Sequence, residues 1–257
     1  LVLNTFGKSK KIKKNFYLNR REQEVLKKLQ EDGIVFLDGY FEHIADQMIE
    51  ENIFEDKESD HSYIQNSEIK QNKPLFDILN DRSLIKIASK YYGVKSYFRY
   101  RPTANLTYPK RDDITSRQRF DNQSLEFGDF ADEWHVDSVY NLQYHILLKD
   151  TDKNQTRMFF AKGEKVSFFD RFCGFASDEY VNKEFDIIEL CGKKGTVILF
   201  DGSKHWHRLY PVKGKKRYTS SVLFTRGQQP CDPDMYVNKL SLDNLDEKNK
   251  EDFKYII

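Results

Sequence analysis

The period of apolar and polar positions changes about a third of the way along the chain. Leu26 and Leu29 form an apolar stripe among charged neighbours, and Asn19 with Glu22 resembles an N-terminal capping box. A short amphipathic helix is therefore predicted over 19–30. Asp32-Gly33 stops it, and Ile34-Val35-Phe36-Leu37 reads as a short buried strand ending at Asp38-Gly39. Further helices are predicted over 41–52 and 83–92, the latter ending at Gly93.

From Ser96 onward, short β-prone runs alternate with polar turns: 96–101, 142–149, 157–161, 166–169, 184–190, 195–200 and 217–225. That succession predicts a β-sandwich or barrel carrying helices from the N-terminal third, so the fold is expected to be mostly β. The polar stretch 109–130 reads as a long loop, a length more typical of lids and binding segments than of simple connections. The last twenty residues are charged and read as a peripheral helix or tail. With no internal repeat or low-complexity tract, one domain over 1–257 is expected: helical support over 1–95, a β-core over 96–226 and a peripheral segment over 227–257.

Charge and composition narrow the function classes. The 257 residues carry 42 Lys and Arg against 41 Asp and Glu, a net charge of +1, without the cationic excess that general nucleic-acid or membrane-surface binding requires. Twenty Phe and fifteen Tyr supply ample material for a core. No apolar stretch approaches the roughly 20 residues of a membrane span. Cys173, Cys191 and Cys231 are odd in number and lack metal-site spacing, which suits a reducing compartment. The lysines at 8, 10, 11, 13 and 14 are not followed by a signal-peptide core, so a cytoplasmic location is expected.

The histidines carry the chemistry. His135 and Asp137 lie in Glu133-Trp134-His135-Val136-Asp137, and two residues apart on extended chain they share a side. His205 and His207 follow the strand Thr196-Val197-Ile198-Leu199-Phe200, and one of them completes a two-His, one-carboxylate facial triad. Such a triad leaves one face of Fe(II) open for a bidentate cosubstrate and O₂. Ten residues past His207, Arg217 could grip a carboxylate through two parallel hydrogen bonds, with Lys216 as the fallback if the register shifts by one.

This pattern resembles the Fe(II)/2-oxoglutarate dioxygenases, and most closely the phytanoyl-CoA dioxygenase-like branch. The similarity extends to Glu31-Asp32-Gly33-Ile34-Val35-Phe36 after the first helix, to Tyr144-His145-Ile146-Leu147-Leu148-Lys149-Asp150-Thr151-Asp152, and to Gly195-Thr196-Val197-Ile198-Leu199-Phe200-Asp201-Gly202, touching residues from about 19 to 226. The resemblance implies a double-stranded β-helix (jelly-roll, cupin-like) core. It also implies Fe(II) held by His135, Asp137 and His207, and 2-oxoglutarate anchored by Arg217. The expected reaction is O₂-dependent hydroxylation of a small molecule with release of succinate and CO₂. His207 is favoured over His205 because the resemblance places the ligand immediately before Arg208. Lys162-Gly163-Glu164-Lys165 stands where relatives often carry a P-G-S-H turn, and Asp137 disfavours the related halogenases, which have a small residue there.

By position, Gln143, Thr156 and Met158 are candidates for the cosubstrate pocket, and Arg99, Arg101, Asn105 and Trp134 for substrate contact. Arg99 and Arg101, with Arg157 and Lys162, hint at an anionic substrate. His145 reads either as a pocket residue or as a packed core histidine, whereas His43 and His61 read as structural or solvated. A non-redox cupin-like isomerase or epimerase and a non-catalytic binding module are the alternative readings.

Overall fold

The computed structural model describes residues 17–51, 53–54, 63–69, 73–98, 102–110, 132–137, 141–163, 165–167, 170 and 174–226. Helix α1 (Arg20–Asp32) begins on the expected capping box: Asn19 Oδ1 accepts from the Glu22 N–H, and the Glu22 carboxylate accepts from the Asn19 N–H, both at 2.8 Å. It ends on Gly33 in the left-handed region (φ 77°), whose N–H donates to the Leu29 carbonyl. After strand β1 (Ile34–Leu37) come α2 (Glu42–Glu50), β2 (Tyr63–Glu68), α3 (Lys73–Asn80) and α4 (Arg82–Tyr92), the last capped by Asp81 and ending at Gly93.

The strands that follow are β3 (Ser96–Phe98), β4 (Thr103–Tyr108), β5 (Trp134–His135), β6 (Leu142–Leu147), β7 (Arg157–Lys162) and β8 (Phe175–Ala176). Helix α5 (Asp178–Glu184) precedes β9 (Asp186–Leu190), β10 (Val197–Asp201), β11 (His207–Tyr210) and β12 (Arg217–Arg226). One antiparallel sheet runs β1-β10-β6-β12-β4-β2, with β3 also paired to β12; the other runs β8-β5-β11-β7-β9.

Side-chain alternation gives the large sheet two different faces. Val197, Leu199, Leu142, Tyr144, Ile146, Val222, Phe224, Ala104 and Leu106 pack with apolar residues of α1 to α4, such as Leu29, Ile44, Leu79 and Ala88. The opposite face meets the small sheet. At one end Ile198, Phe200 and Leu147 pack on Met158, Phe160 and Leu209. Elsewhere on that face the alternating positions are polar: Gln143 and His145 on β6, Arg217, Thr219 and Ser221 on β12, and Asn105 and Thr107 on β4. A third cluster, including Trp134, Val136, Val181 and Trp206, covers the far face of the small sheet beneath α5.

The described strands and helices depart from expectation in places. Segment 165–167 is not a strand; Val166 donates to the Lys204 carbonyl outside any ladder. β4, which carries Asn105 and Thr107, and β2, α3 and α5 are elements beyond those expected. Arg99, Arg101, His61, Cys173, Cys231, the N-terminal lysines, the predicted loop beyond Lys110 and the segment 227–257 lie outside the described residues.

Candidate metal centre

A two-residue strand sets the register of the site. β5 pairs with β11 through His135 opposite His207, so the two imidazoles stand together with ring centroids 4.4 Å apart. His135 Nδ1 lies 2.8 Å from the Glu133 carbonyl, and His207 Nδ1 lies 3.1 Å from the His205 carbonyl. A carbonyl only accepts, so each Nδ1 carries the hydrogen and donates it, which puts the lone pair of each ring on Nε2. Asp137 is held by its N–H, which donates to the Gly202 carbonyl (2.8 Å), and its Oδ2 comes 3.6 Å from His207 Nε2. One possible ligand atom from each of His135, Asp137 and His207 lies within 4.8 Å of the other two. Two imidazole nitrogens and one carboxylate oxygen suit Fe(II) and leave further coordination positions open.

The surroundings of Asp137 are tightly specified. Its Oδ2 accepts hydrogen bonds from Asn141 Nδ2 (2.8 Å) and Gln143 Nε2 (3.1 Å). A Cβ at position 202 would lie 2.1 Å from the same oxygen, so the backbone can approach this closely only at a glycine.

Arg217 is buried on the interior face of β12 (5% exposed). Its Nη2 donates to His145 Nδ1 at 3.2 Å, which places the hydrogen of His145 on Nε2. Burial lowers the guanidinium pKa to about 10. Burial first, then the charge of Arg217 and then His207, hold the His145 pKa well below the ordinary histidine value, so this ring is neutral. No carboxylate among the described residues pairs with Arg217, and its Nε has no hydrogen-bond partner there. Two residues along, Thr219 is 1% exposed and its hydroxyl is likewise unpartnered among the described residues. A buried cation with an open donor is costly in isolation, and the arrangement fits an anion supplied by a ligand.

The two distal histidines separate. His205 precedes β11 in a turn, so strand alternation does not put it on the face of His207. Its ring stacks on Phe160 (5.2 Å) and abuts Gly33, and burial lowers its pKa to about 4. Lys216 places its ammonium over the Tyr108 ring (5.0 Å), away from the buried position of Arg217.

Several candidates take other places. Trp134 points to the opposite side of β5 from His135 and is 1% exposed beneath α5, with the Arg208 guanidinium over its ring (4.9 Å). It is a core residue rather than a substrate contact, because adjacent strand positions face apart. The Thr156 hydroxyl is committed to the turn before β12, donating to the Lys215 carbonyl (2.6 Å) and accepting from the Val212 N–H (3.0 Å). It thus supports the strand of Arg217 rather than presenting a free hydroxyl. Met158 packs in the apolar layer between the sheets. Gln143 sits beside Asp137, and Asn105 Nδ2 donates to Ser221 Oγ (2.6 Å).

Residues that the sequence reading passed over include Asn141, Gly202, Thr219 and a network around Asp201. The buried Asp201 carboxylate accepts from the Ser203 N–H (3.0 Å) and hydroxyl (2.6 Å), from the Tyr91 phenol (2.7 Å) and from Lys204. Burial pushes its pKa up, but Lys204 and these hydrogen bonds outweigh that, and the net shift is downward. Only Thr219 had a readable signal, its alternation with Arg217. The others depend on contacts across the fold.

No protein-family model matches the chain, and no curated protein matches it. Solved structures do. The epimerase SnoN in complex with Fe3+, alpha ketoglutarate and nogalamycin RO is similar with a TM-score of 0.54 and 11% identity, covering 82% of this chain and 86% of SnoN. EctD from S. alaskensis with 2-oxoglutarate and 5-hydroxyectoine gives 0.51 and 16%, covering 90% and 84%. The non-heme alpha ketoglutarate dependent carbocyclase SnoK from nogalamycin biosynthesis gives 0.52 and 16%, covering 87% and 92%. At these identities the likeness establishes the fold: a mostly β, double-stranded β-helix core with N-terminal helices.

Proposed function

We propose that this chain is a non-haem Fe(II)- and 2-oxoglutarate-dependent oxygenase of the phytanoyl-CoA dioxygenase-like type, hydroxylating a C–H bond of a small-molecule substrate. The carrying observation is the buried Arg217, unmatched by any described carboxylate, in the same interior as the His135–Asp137–His207 cluster. The presence of Fe3+ and alpha ketoglutarate in SnoN, and of 2-oxoglutarate in EctD, supports the same reading.

His135 and His207 would hold the metal through Nε2, and Asp137 through its carboxylate. Arg217 would bind the far carboxylate of the cosubstrate by charge-assisted hydrogen bonds, and the Thr219 hydroxyl would donate to the same group. His145, neutral and accepting from Arg217, keeps the guanidinium in place without adding charge. Phe160, Phe200 and Ile198 form an apolar layer beside the site that limits water. When bound, the iron supplies the oxidation of 2-oxoglutarate by O₂ to succinate and CO₂ that is coupled to conversion of C–H to C–OH. The names of SnoN and SnoK attach epimerisation and ring formation to proteins of this fold, so those outcomes form a second reading of the same site. Arg99 and Arg101 are proposed to meet an anionic substrate, and the chain to act as one domain in the cytoplasm. No described helix is long and apolar enough to cross a membrane.

The test is anaerobic addition of Fe(II) and then 2-oxoglutarate, followed by the visible charge-transfer absorption of a chelated keto acid. The band is expected in the wild type and in His205→Ala, and absent in His135→Ala and His207→Ala. Arg217→Ala should need roughly 10- to 100-fold more cosubstrate, the value of losing charge-assisted hydrogen bonds. A folded, metal-loaded wild type with no band would bring the isomerase or binding-module alternative forward.

A further inference from the structure

We propose that Asn141 and Gln143 form a paired carboxamide clamp that fixes the orientation and tunes the donor strength of Asp137 as a metal ligand. The inference rests on reading the triad as an iron site, and concerns what controls that site. Asp137 lies just beyond β5, on backbone outside the strand ladder, so pairing alone does not fix its side chain. Both amides donate to the same oxygen, Oδ2, at 2.8 and 3.1 Å. Facing a carboxylate, the NH₂ end of each amide is the only sensible assignment.

Each amide is anchored separately. Gln143 sits within β6, opposite Phe200 on one neighbour and Leu223 on the other. The Asn141 carbonyl accepts from the Gly202 N–H (3.0 Å), while the Gly202 carbonyl accepts from the Asp137 N–H. The two amides are 6% and 8% exposed, and Asn141 Oδ1 has no partner among the described residues. A buried carbonyl oxygen without a partner is unfavourable, so the amide holds this orientation against a cost. Amides do not titrate, so the two donors add no charge of their own beside the carboxylate. Two N–H donors also draw some charge from the carboxylate, an effect on affinity that is opposite to, and smaller than, the orientation they impose.

The test uses metal-free protein titrated with Co(II), followed by its ligand-field absorption, in the wild type, Asn141→Leu, Gln143→Met and the double variant. These near-isosteric changes keep the volume and remove the donors. Each single change should weaken Co(II) at least tenfold, in line with the roughly 10- to 100-fold effect of groups that orient metal ligands. With Fe(II) and 2-oxoglutarate, the charge-transfer band should move to lower energy, because the released carboxylate donates more charge to iron; a purely structural role would not shift it. Independently of variants that fold poorly, the side-chain amide resonances of Asn141 and Gln143 in the wild type should shift on Zn(II) addition. Unchanged Co(II) affinity and band in folded variants, or amide resonances indifferent to Zn(II), would overturn the clamp. A wild type that binds no Co(II) would instead overturn the iron-site reading beneath it.

Discussion

Thr219 buries a hydroxyl that no described residue satisfies, on the same face of β12 as Arg217. Burying an unsatisfied hydroxyl costs about 1–3 kcal/mol, so the near-isosteric Thr219→Val should stabilise the metal-free chain by about 1 kcal/mol. The same change should raise the 2-oxoglutarate needed for the charge-transfer band several-fold if, as proposed, the lost donor binds the cosubstrate carboxylate. Thermal unfolding and anaerobic titration of one preparation check both halves, and a loss of stability would mean that the hydroxyl serves the fold. At this scale, period-two alternation, a local property, makes His135 and Asp137 candidates; spacing leaves His205 and His207 open, and only the resemblance favours His207 with Arg217 ten residues on. The sequence reading misplaced Trp134, whose neighbour faces the candidate metal site while Trp134 itself turns to the core. It also could not show that Thr156 is tied to residues 212 and 215, since that bond joins distant parts of the chain.

Two helices end on left-handed glycines, but only one end borders the site. A Cβ on Gly33 (φ 77°), after α1, would lie 2.2 Å from His205 Nε2, whereas one on Gly93 (φ 71°), after α4, would meet nothing within 4 Å. Gly93→Ala should therefore cost only the left-handed penalty, about 1 kcal/mol. Gly33→Ala should cost more, because the His205 ring must also move. In a double-mutant cycle, Gly33→Ala with His205→Ala should couple by about 1 kcal/mol or more, while Gly93→Ala with His205→Ala should add within about 0.5 kcal/mol. Urea unfolding of the variants measures both, and additivity in both cycles would show that the ring shifts freely. Capped elements such as α1 and α4 were legible because stop and start signals sit in a few adjacent residues. β5 and β8 were not, since two residues carry no period, and β5 exists through its pairing with β8 and β11. α5 was hidden in a charged stretch whose one fully buried residue, Val181, gives no repeating stripe.

Across the whole molecule, the helix layer and the candidate metal centre meet at Asp201. This carboxylate ends β10, its N–H donates to the Gly33 carbonyl (3.0 Å) at the end of α1, and it binds Tyr91 from α4 and Lys204 from the turn leading to His207. Tyr91 in turn accepts from Lys204 (3.0 Å), so the three groups close a ring that holds the turn against the helices. Burial opposes ionisation of Asp201, but Lys204, Ser203 and Tyr91 together hold its pKa below the ordinary value. A carboxyl depressed in the folded state contributes stability that is full above its unfolded pKa and is lost as pH falls through the folded pKa. Asp201→Asn should therefore cost about 3 kcal/mol near neutrality by leaving the Lys204 ammonium without its charged partner. The gap from the wild type should narrow as pH drops below about 4, because protonation then removes the same charge from the wild type. Urea unfolding of both proteins across that range is the check, and a gap independent of pH would show that Asp201 acts through shape and hydrogen bonds alone. Because the ring joins α4 to the turn before His207, a charge-dependent gap would also make the setting of that histidine depend on the helix layer, which no local reading of the histidine motif contains.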